Sequence, residues 1–214
     1  MARTQTEIFP GTERDHSLSQ FFTPPKLARK LVQWAIAGHD DGSWHRSDVP
    51  KRPLRVLEPS AGNGAIVREL VSAGAEVTAV EIDTRYALEL AELMWRGSGH
   101  TMIVPMDFMA HRPYVQPFDL VCGNFPFHAD LDGAFTLHTL EFAPRTCAIY
   151  PANVFYAEKR VPLWKAARPT RIAHLSKRPW PGATDYVALE LVSSRIDPAI
   201  GATVTVEWWT EEWV

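Results

Sequence analysis

From residue 54 to residue 150 the chain alternates short apolar runs with segments of helical periodicity. Each run has the length of a strand, and the segments between them repeat their apolar residues at helical spacing. The runs are 54–58, 76–81, 101–105, 118–122 and 146–150, and the helical segments are 65–73, 84–96 and 132–142. Strands that alternate with helices at this spacing form βαβ units, so the pattern predicts a mostly parallel sheet covered by helices.

The C-terminal part departs from this alternation. The runs 171–175, 186–192 and 203–209 follow one another with no helix of useful length between them, which predicts antiparallel strands that close one edge of the sheet. Upstream, prolines precede a segment of helical spacing over 26–38. The predicted fold is α/β and Rossmann-like, with a mostly parallel seven-stranded sheet and antiparallel C-terminal strands.

The composition is that of one globular domain. The chain has 214 residues, 46% hydrophobic and 22% charged, with a formal net charge of −3. We predict a flexible polar arm over 1–20 and a single domain over 21–214, with no separate domain for recognising a target. Cys122 and Cys147 lie in apolar runs and are predicted to be buried and reduced. The polar N-terminus and the lack of a long apolar stretch predict a cytoplasmic protein with no membrane partner.

The loop after the first strand contains two glycines. It reads Glu58-Pro59-Ser60-Ala61-Gly62-Asn63-Gly64, and glycines in a strand-to-helix turn let a ligand approach the backbone closely. A dinucleotide is disfavoured, because Val67 replaces the third glycine of that fingerprint and Glu58 would lie beside a pyrophosphate. The loop favours a ligand that carries a cationic or amine group.

Acidic residues also follow the second and third strands. Glu81 can accept hydrogen bonds from ribose hydroxyls, and Asp107 can accept one from an adenine amino group. The neighbouring Ile82 and Phe108 can pack against the faces of the adenine ring. Because ligands of open α/β sheets bind beyond the carboxyl ends of the strands, Glu58, Glu81 and Asp107 are predicted to define one pocket.

These segments together resemble the class I S-adenosylmethionine-dependent methyltransferases. The matching segments are 57–64, 80–83 and 106–108, and residues 20–24 resemble the F-x-T-P element of the γ-class amino-methyltransferases. The resemblance implies that S-adenosylmethionine is the cofactor, with its methionine amino group on Glu58, its ribose on Glu81 and its adenine N6 on Asp107. The predicted cofactor-binding residues are Phe22, Thr23, Pro24, Glu58, Pro59, Ser60, Ala61, Gly62, Gly64, Glu81, Ile82, Asp107, Phe108 and Asn124.

The tetrapeptide Asn124-Phe125-Pro126-Phe127 follows the fourth strand, at the position that faces the donor methyl group in this architecture. An exocyclic amine of a base is a poor nucleophile because its lone pair is delocalised into the ring. Two acceptors aimed at its N–H bonds favour a tetrahedral nitrogen, and the Asn124 side chain and the Phe125 backbone carbonyl can supply them. Pro126 stiffens the loop, and Phe127 offers a face for an extruded base. All four are predicted catalytic residues, and no metal is required.

The tetrapeptide resembles the Asp/Asn/Ser-Pro-Pro-Tyr/Phe/Trp motif of the amino-methyltransferases with one departure. Phe125 stands where that motif has proline, whereas the rRNA adenine dimethyltransferases have an apolar, non-proline residue there. Over residues 20–192 the chain resembles small phage- and plasmid-borne γ-type N6-adenine DNA methyltransferases. The departure at Phe125 bears on the substrate more than on the chemistry.

A basic segment runs from Arg145 to Arg178. It holds eight basic residues against one acidic residue, Glu158, so the negative charge of the chain lies elsewhere. The predicted substrate-binding residues are Phe127, Lys177, Arg178 and Trp180, the two aromatic ones by stacking. The predicted partner is nucleic acid, DNA ahead of RNA, with a partner subunit or a homodimer as a further source of target recognition.

The leading interpretation is methyl transfer from S-adenosylmethionine to adenine N6 in DNA, directly in line to a flipped base. The first alternative is rRNA adenine methylation, which Phe125 favours. The others are methylation of a protein glutamine amide and a module that binds the cofactor without catalysis.

Overall fold

The computed structural model describes residues 21–40, 52–95, 101–112, 118–127, 131–156, 158–180, 185–195 and 203–213. The helices are α1 (Pro25–Asp40), α2 (Ala65–Ser72), α3 (Thr84–Trp95), α4 (Leu131–Thr139) and α5 (Val161–Ala166). The strands are β1 (Arg55–Glu58), β2 (Glu76–Glu81), β3 (Thr101–Pro105), β4 (Leu120–Asn124), β5 (Arg145–Pro151), β6 (Ala167–Leu175), β7 (Tyr186–Ser193) and β8 (Thr205–Trp209). The arm predicted over 1–20 lies outside the described residues.

The strands form one sheet in the order β3-β2-β1-β4-β5-β7-β6-β8. Strands β1 to β5 pair in parallel, and β7 pairs antiparallel with both β5 and β6. The predicted α/β fold, mostly parallel with antiparallel pairing towards the C-terminus, is confirmed. The sheet has eight strands where seven were predicted, and the short helix α5 was not predicted.

The last strand differs from the prediction in its direction. β8 pairs parallel with β6, with Ile172 opposite Val206 and Leu175 opposite Trp209. β6 lies between β7 and β8. β7 ends opposite Ala167 at the start of β6, whereas β8 ends at Trp209, opposite Leu175 at the end of β6. β8 therefore runs opposite to β7 and parallel to β6.

Two apolar clusters pack on the two faces of the sheet. The first includes Leu27 of α1, Leu70 of α2 and Leu90 of α3, and the second includes Phe135 of α4 and Leu163 of α5. Helices therefore cover both faces, as the βαβ pattern predicts. The two cysteines are free, buried and opposite each other on β4 and β5.

Buried ion pairs attach α1 to the sheet. Glu190 on β7 accepts hydrogen bonds from Arg145 Nε on β5, at 2.7 Å, and from Arg171 on β6. The same guanidinium groups donate to carbonyls of α1, Arg145 to Ala35 at 3.1 Å and Arg171 to Trp34 at 2.6 Å. This network fixes α1 and the segment that precedes it. None of the described helices is long and apolar enough to cross a membrane.

Candidate active site

A cavity of about 440 Å³ lies at the carboxyl ends of β1 to β4, the edge where open α/β sheets bind ligands. Its volume is typical of a small-molecule site. A second cavity of about 30 Å³ adjoins it. The predicted site residues that line one or both cavities are Phe22, Thr23, Glu58, Pro59, Ser60, Ala61, Gly62, Glu81, Ile82, Asp107, Phe108, Asn124, Phe125 and Pro126. Pro24, Gly64 and Phe127 line neither of these two cavities.

The two glycines of the turn between β1 and α2 have different roles. Both have positive φ angles, 51° at Gly62 and 76° at Gly64, which glycine adopts with little strain. Gly62 lines the cavity and its N–H donates to Glu81 Oε2 at 2.6 Å. A Cβ at Gly64 would lie 2.1 Å from Leu90 Cδ2. Gly64 therefore allows α2 to begin against α3 and does not itself contact the cavity.

The carboxylates of Glu58 and Glu81 are buried side by side in the site. Burial raises the pKa of Glu58 well above its usual range, and the charge of Glu81 raises it further. Among the described residues, Glu58 Oε2 has no hydrogen-bond partner. Both oxygens of Glu81 accept backbone hydrogen bonds, from Gly62 and, at 2.7 Å, from Asp83, although burial still raises its pKa. An ammonium group would satisfy the buried oxygen of Glu58.

The residues predicted to hold adenine, Ile82, Asp107 and Phe108, all line the large cavity. Asp107 Oδ1 accepts from the N–H of Met109 at 2.9 Å and caps the 3-10 helix Phe108–Ala110. Ile82 is 50% exposed, and Phe108 is buried against Phe135 with 4.8 Å between ring centroids. The half-exposed Ile82 offers an apolar surface that a bound ring would cover.

The segment before α1 folds against the glycine turn. Phe22 is buried, and its ring packs edge-on against Tyr86 of α3 with 5.1 Å between centroids. Thr23 is buried and lines the small cavity. The carbonyl of Pro24 accepts from the N–H of Ala28 at 2.9 Å in the first turn of α1. The sequence predicts these residues over one end of the cofactor pocket. Phe22 and Thr23 line the small cavity, and Pro24 directly precedes α1.

Asn124 ends β4 with its side chain at the junction of the two cavities. The side-chain Nδ2 of Asn124 donates to the backbone carbonyl of Phe21 at 2.8 Å. The backbone carbonyl of Asn124 accepts from the Ser60 hydroxyl at 3.1 Å. Within the described part of the chain, the buried Oδ1 has no hydrogen-bond partner. A buried acceptor without a donor is costly, so this oxygen is suited to receive an N–H group from a bound molecule.

The three residues after Asn124 point in different directions. Phe125 is buried, and its ring packs against Phe135 and Tyr150 at centroid distances of 5.1 and 5.9 Å. Pro126 lines the large cavity. Phe127 is half-buried with its ring 5.6 Å from that of Tyr186. The ring of Phe125 therefore anchors the loop in the core, which leaves its backbone as the part available to a substrate.

The amino-acid sequence of this chain is similar to that of one curated protein over part of its length. No protein-family model matches the chain. An rRNA adenine N-6-methyltransferase of Saccharopolyspora erythraea is 35% identical over 141 residues, which are 64% of this chain and 34% of that protein. The chain thus spans about a third of the length of this curated relative.

Solved methyltransferase structures share the fold at low identity. The 23S rRNA methyltransferase ErmE is 21% identical with a TM-score of 0.59, over 81% of this chain and 70% of that one. Magnesium protoporphyrin IX methyltransferase from Synechocystis PCC 6803, with bound S-adenosylmethionine, is 17% identical with a TM-score of 0.59 over 79% of each chain. The M protein of the type I restriction enzyme EcoKI is 15% identical with a TM-score of 0.59, over 81% of this chain and 44% of that one.

The chain has the class I methyltransferase fold. The resemblance to this class in the sequence is therefore confirmed for the fold. In this fold the predicted pocket residues from three strand ends, Glu58, Glu81 and Asp107, lie around the two cavities. No group of three or more His, Cys, Asp or Glu side chains among the described residues is arranged to hold a metal ion.

One predicted substrate contact of this methyltransferase fold is wrong. Trp180 was predicted to stack on a base, but its side chain is only 3% exposed. Its Nε1 donates to the carbonyl of Phe22 at 2.8 Å, and its ring lies edge-on to Phe21 and Tyr186. Packing under the N-terminal segment removes the indole face from any polynucleotide. Sequence alone could not distinguish an exposed aromatic residue in a loop from a buried one.

The basic segment is also divided by the fold. Arg145, Arg160 and Arg171 turn inwards, and two of them form the ion pairs with Glu190. Lys177 and Arg178 are exposed, each beside an acidic residue, Glu212 at 3.1 Å and Asp185 at 3.2 Å. The remaining exposed basic residues of the segment are Lys159, Lys165 and Arg168. The positive surface is therefore smaller than the sequence count suggested.

Several cavity residues were not predicted as part of the site. In the large cavity they are Phe21, Met106, Met109, Leu131 and Phe135, and in the small cavity they are Phe21, Asn63, Ala65 and Ile66. Phe21 had a recognisable signal, since it is the first residue of the F-x-T-P element. Leu131 and Phe135 come from α4, and only the packing of that helix against the loop 124–127 brings them to the cavity.

Proposed function

We propose that this chain binds S-adenosylmethionine and transfers its methyl group to the N6 amino group of adenine in a nucleic acid. The observation that carries the proposal is the Asn124 side chain. Its amide nitrogen is held by Phe21 while its oxygen is buried at the cavity junction without a donor. An acceptor kept in this state is suited to an amino N–H in the transition state, because no rearrangement is needed when the reaction begins.

The cavity residues fit the proposed cofactor. Glu58 Oε2 is a buried acceptor without a partner and suits the methionine ammonium group. Glu81, Ile82 and Asp107 line the larger cavity, and we assign Glu81 to the ribose, Ile82 to a face of the adenine and Asp107 to adenine N6. When bound, the cofactor supplies a methyl group on a positively charged sulfur, which leaves as a neutral thioether when the amine nitrogen displaces it.

The chain's own residues then act on the amine. Asn124 Oδ1 and the Phe125 backbone carbonyl accept hydrogen bonds from the two N–H groups of the amine. These bonds favour a tetrahedral nitrogen whose lone pair can attack the methyl group in line. The new N–C bond replaces the S–C bond, and the nitrogen loses one proton to solvent. Phe125 keeps this backbone in place because its ring is fixed between Phe135 and Tyr150.

RNA is the first acceptor to test. The relative named an rRNA adenine N-6-methyltransferase aligns with 64% of this chain at 35% identity, and Phe125 matches the apolar second residue of the rRNA adenine dimethyltransferase motif. DNA remains the second candidate, because residues 20–24 resemble the γ-class element and the EcoKI M protein shares the fold. Target recognition through a partner subunit or a homodimer is part of the same proposal.

A surface next to α4 is suited to the polynucleotide. Tyr156 is 85% exposed beyond the end of β5, and behind it the rings of Phe155 and Trp164 stack at 5.5 Å. A Cβ on Gly133 of α4 would lie 3.8 Å from Arg160 Cγ, so this segment packs on the helix whose Leu131 and Phe135 line the cavity. An exposed aromatic ring with Lys159 close in sequence favours base stacking and phosphate contact.

The deciding experiment is mass spectrometry of nucleosides from rRNA and DNA of cells that express the protein, with the Asn124→Ala variant as the control. N6-methyladenine should rise in one pool with the wild type and not with the variant. Calorimetry of S-adenosylmethionine binding to the purified chain separates the alternatives. Binding without methylation of rRNA, DNA or glutamine peptides would indicate the inactive module and overturn the proposal.

A further inference from the structure

Two adjacent backbone carbonyls of the segment before α1 each accept a hydrogen bond from a different part of the chain. The Phe21 carbonyl accepts from Asn124 Nδ2 at 2.8 Å, and the Phe22 carbonyl accepts from Trp180 Nε1 at 2.8 Å. The indole of Trp180 is buried, so its N–H is shielded from water. The hydrogen bond from Trp180 therefore limits how far the neighbouring Phe21 carbonyl can move.

The ring of Trp180 also packs on two residues that contact the tetrapeptide 124–127. It lies edge-on to Phe21, with 6.0 Å between centroids, and edge-on to Tyr186 at 4.8 Å. Tyr186 in turn packs on Phe127, the last residue of the tetrapeptide. One side chain thus supports the carbonyl that holds Asn124 and the ring that packs on Phe127.

The Phe21 carbonyl decides which way the Asn124 amide faces. A carbonyl oxygen only accepts hydrogen bonds, so it selects the rotamer with Nδ2 towards it and leaves Oδ1 at the cavity. If the carbonyl moves away, the amide can rotate and present its N–H groups, which would repel the N–H of an amine substrate. The orientation of the acceptor thus depends on a segment more than a hundred residues away in sequence.

We infer that Trp180 is a positioning residue for Asn124, acting through the Phe21–Phe22 backbone. The inference rests on the proposed function, in which Asn124 Oδ1 accepts from the substrate amine. Trp180 contacts neither substrate nor cofactor in this role. The loop that holds it between β6 and β7 therefore contributes to the rate of transfer through the orientation of one amide group.

The test compares two tryptophans that each donate an indole N–H to a backbone carbonyl. Trp180→Phe removes the bond to Phe22, and the matched control Trp213→Phe removes a bond of 2.9 Å to the Lys177 carbonyl. The first readout is hydrogen exchange of the Asn124 side-chain amide by NMR in the full chain, identified by its absence in Asn124→Asp. We expect exchange about tenfold faster in Trp180→Phe and unchanged in Trp213→Phe.

The second readout is transfer kinetics. Trp180→Phe should lower kcat about tenfold or more while the dissociation constant for S-adenosylmethionine changes less than about threefold, because the lost interaction acts in the transition state. Unchanged Asn124 exchange in Trp180→Phe, or an equal kcat loss in Trp213→Phe, would overturn the inference. If the wild type transfers no methyl group, the proposed function fails, and the exchange rates still decide the positioning role.

A second variant covers the case in which Trp180→Phe does not fold. Trp180→His keeps a ring N–H that can reach the Phe22 carbonyl. It should retain slow Asn124 exchange and more activity than Trp180→Phe. If the Asn124 amide exchanges fast in a folded Trp180→His variant and slowly in the wild type, the inference is wrong.

Discussion

The side-chain nitrogen of Asn124 donates to the backbone carbonyl of Phe21 across 2.8 Å. This contact joins the carboxyl end of β4 to the segment before α1, and it leaves Asn124 Oδ1 buried and without a partner in the described part of the chain. The N-terminal segment therefore does more than cover a cavity. It fixes the orientation of the group that the proposed reaction needs.

Removal of the Asn124 side-chain amide should slow methyl transfer strongly and leave S-adenosylmethionine binding nearly unchanged. We expect Asn124→Ala to lower the methyl-transfer rate by roughly 10²- to 10³-fold, as loss of one preoriented hydrogen-bonding group does in other enzymes. Affinity for S-adenosylmethionine, measured by calorimetry, should stay within a few-fold. Asn153→Ala, at an exposed position, is the control. Loss of cofactor binding in Asn124→Ala would mean that the residue has a different role.

The buried carboxylate of Glu58 predicts opposite effects on binding and stability. Glu58→Gln should weaken S-adenosylmethionine binding roughly 10- to 100-fold, because a charged hydrogen-bond partner of the ammonium group is lost. Burial raises the pKa of Glu58, so ionisation at neutral pH costs the folded state more than the unfolded state. The variant should therefore raise the Tm of the ligand-free protein.

The Tm gain expected for Glu58→Gln depends on pH in a defined direction. Since the folded-state pKa of Glu58 lies above the unfolded value, the Tm gain of Glu58→Gln should be fully present above the raised pKa. It should shrink as the pH falls from the raised pKa and vanish below the ordinary glutamate pKa, where both states are protonated. Differential scanning calorimetry across this range checks it, with the exposed Glu92→Gln as control. A Tm gain that does not depend on pH would contradict the explanation.

Lys177 and Arg178 are predicted to contact phosphates. The double variant Lys177→Ala, Arg178→Ala should weaken nucleic-acid binding and reduce the slope of log K against log salt by about two. Their exposed pairs with Glu212 and Asp185 are weak competitors for phosphate. The control removes two other paired basic residues, the exposed Arg29 and the half-buried Lys30. If the two double variants have equal salt slopes, Lys177 and Arg178 have no specific role in phosphate contact.

Tyr156 should act as a stacking residue for the polynucleotide. Tyr156→Ala is expected to raise the KM for the nucleic acid roughly tenfold, within the range of about 1–3 kcal/mol per stacked base, with no change in cofactor affinity. Trp208 on β8, 64% exposed, is the matched aromatic control. If Trp208→Ala raises KM as much as Tyr156→Ala, the surface beside α4 has been wrongly assigned.

The glycine turn offers a stability test with an internal reference. Gly64→Ala places a Cβ 2.1 Å from Leu90 Cδ2 at a φ of 76°, whereas Gly74→Ala meets nothing within 4 Å at a φ of 82°. Both carry the cost of a positive φ, and only Gly64→Ala adds the clash with Leu90. We expect urea unfolding to show a loss that is larger for Gly64→Ala by about 1–3 kcal/mol. Similar losses would show that α3 moves aside without cost.

Much of the fold is set by patterns that are local in the sequence. The alternation of apolar runs and helical segments predicts the parallel strands β1 to β5. The strand ends locate Glu58 at the small cavity and Glu81 and Asp107 at the adjoining large cavity. These predictions hold because burial periodicity and βαβ handedness restrict where consecutive elements can pack. The roles of the individual residues stay predictions for the experiments above.

Tertiary structure decided which side chains are free to act. Trp180 and Arg145 have polar groups and lie in a basic, aromatic segment, yet both are buried, one beneath Phe22 and the other against Glu190. The direction of β8 likewise depends on its pairing with β6. Each of these outcomes follows from contacts between residues far apart in the chain. The sequence alone determined which acidic residues end the strands, and only long-range packing determined the orientation of Asn124 through Phe21.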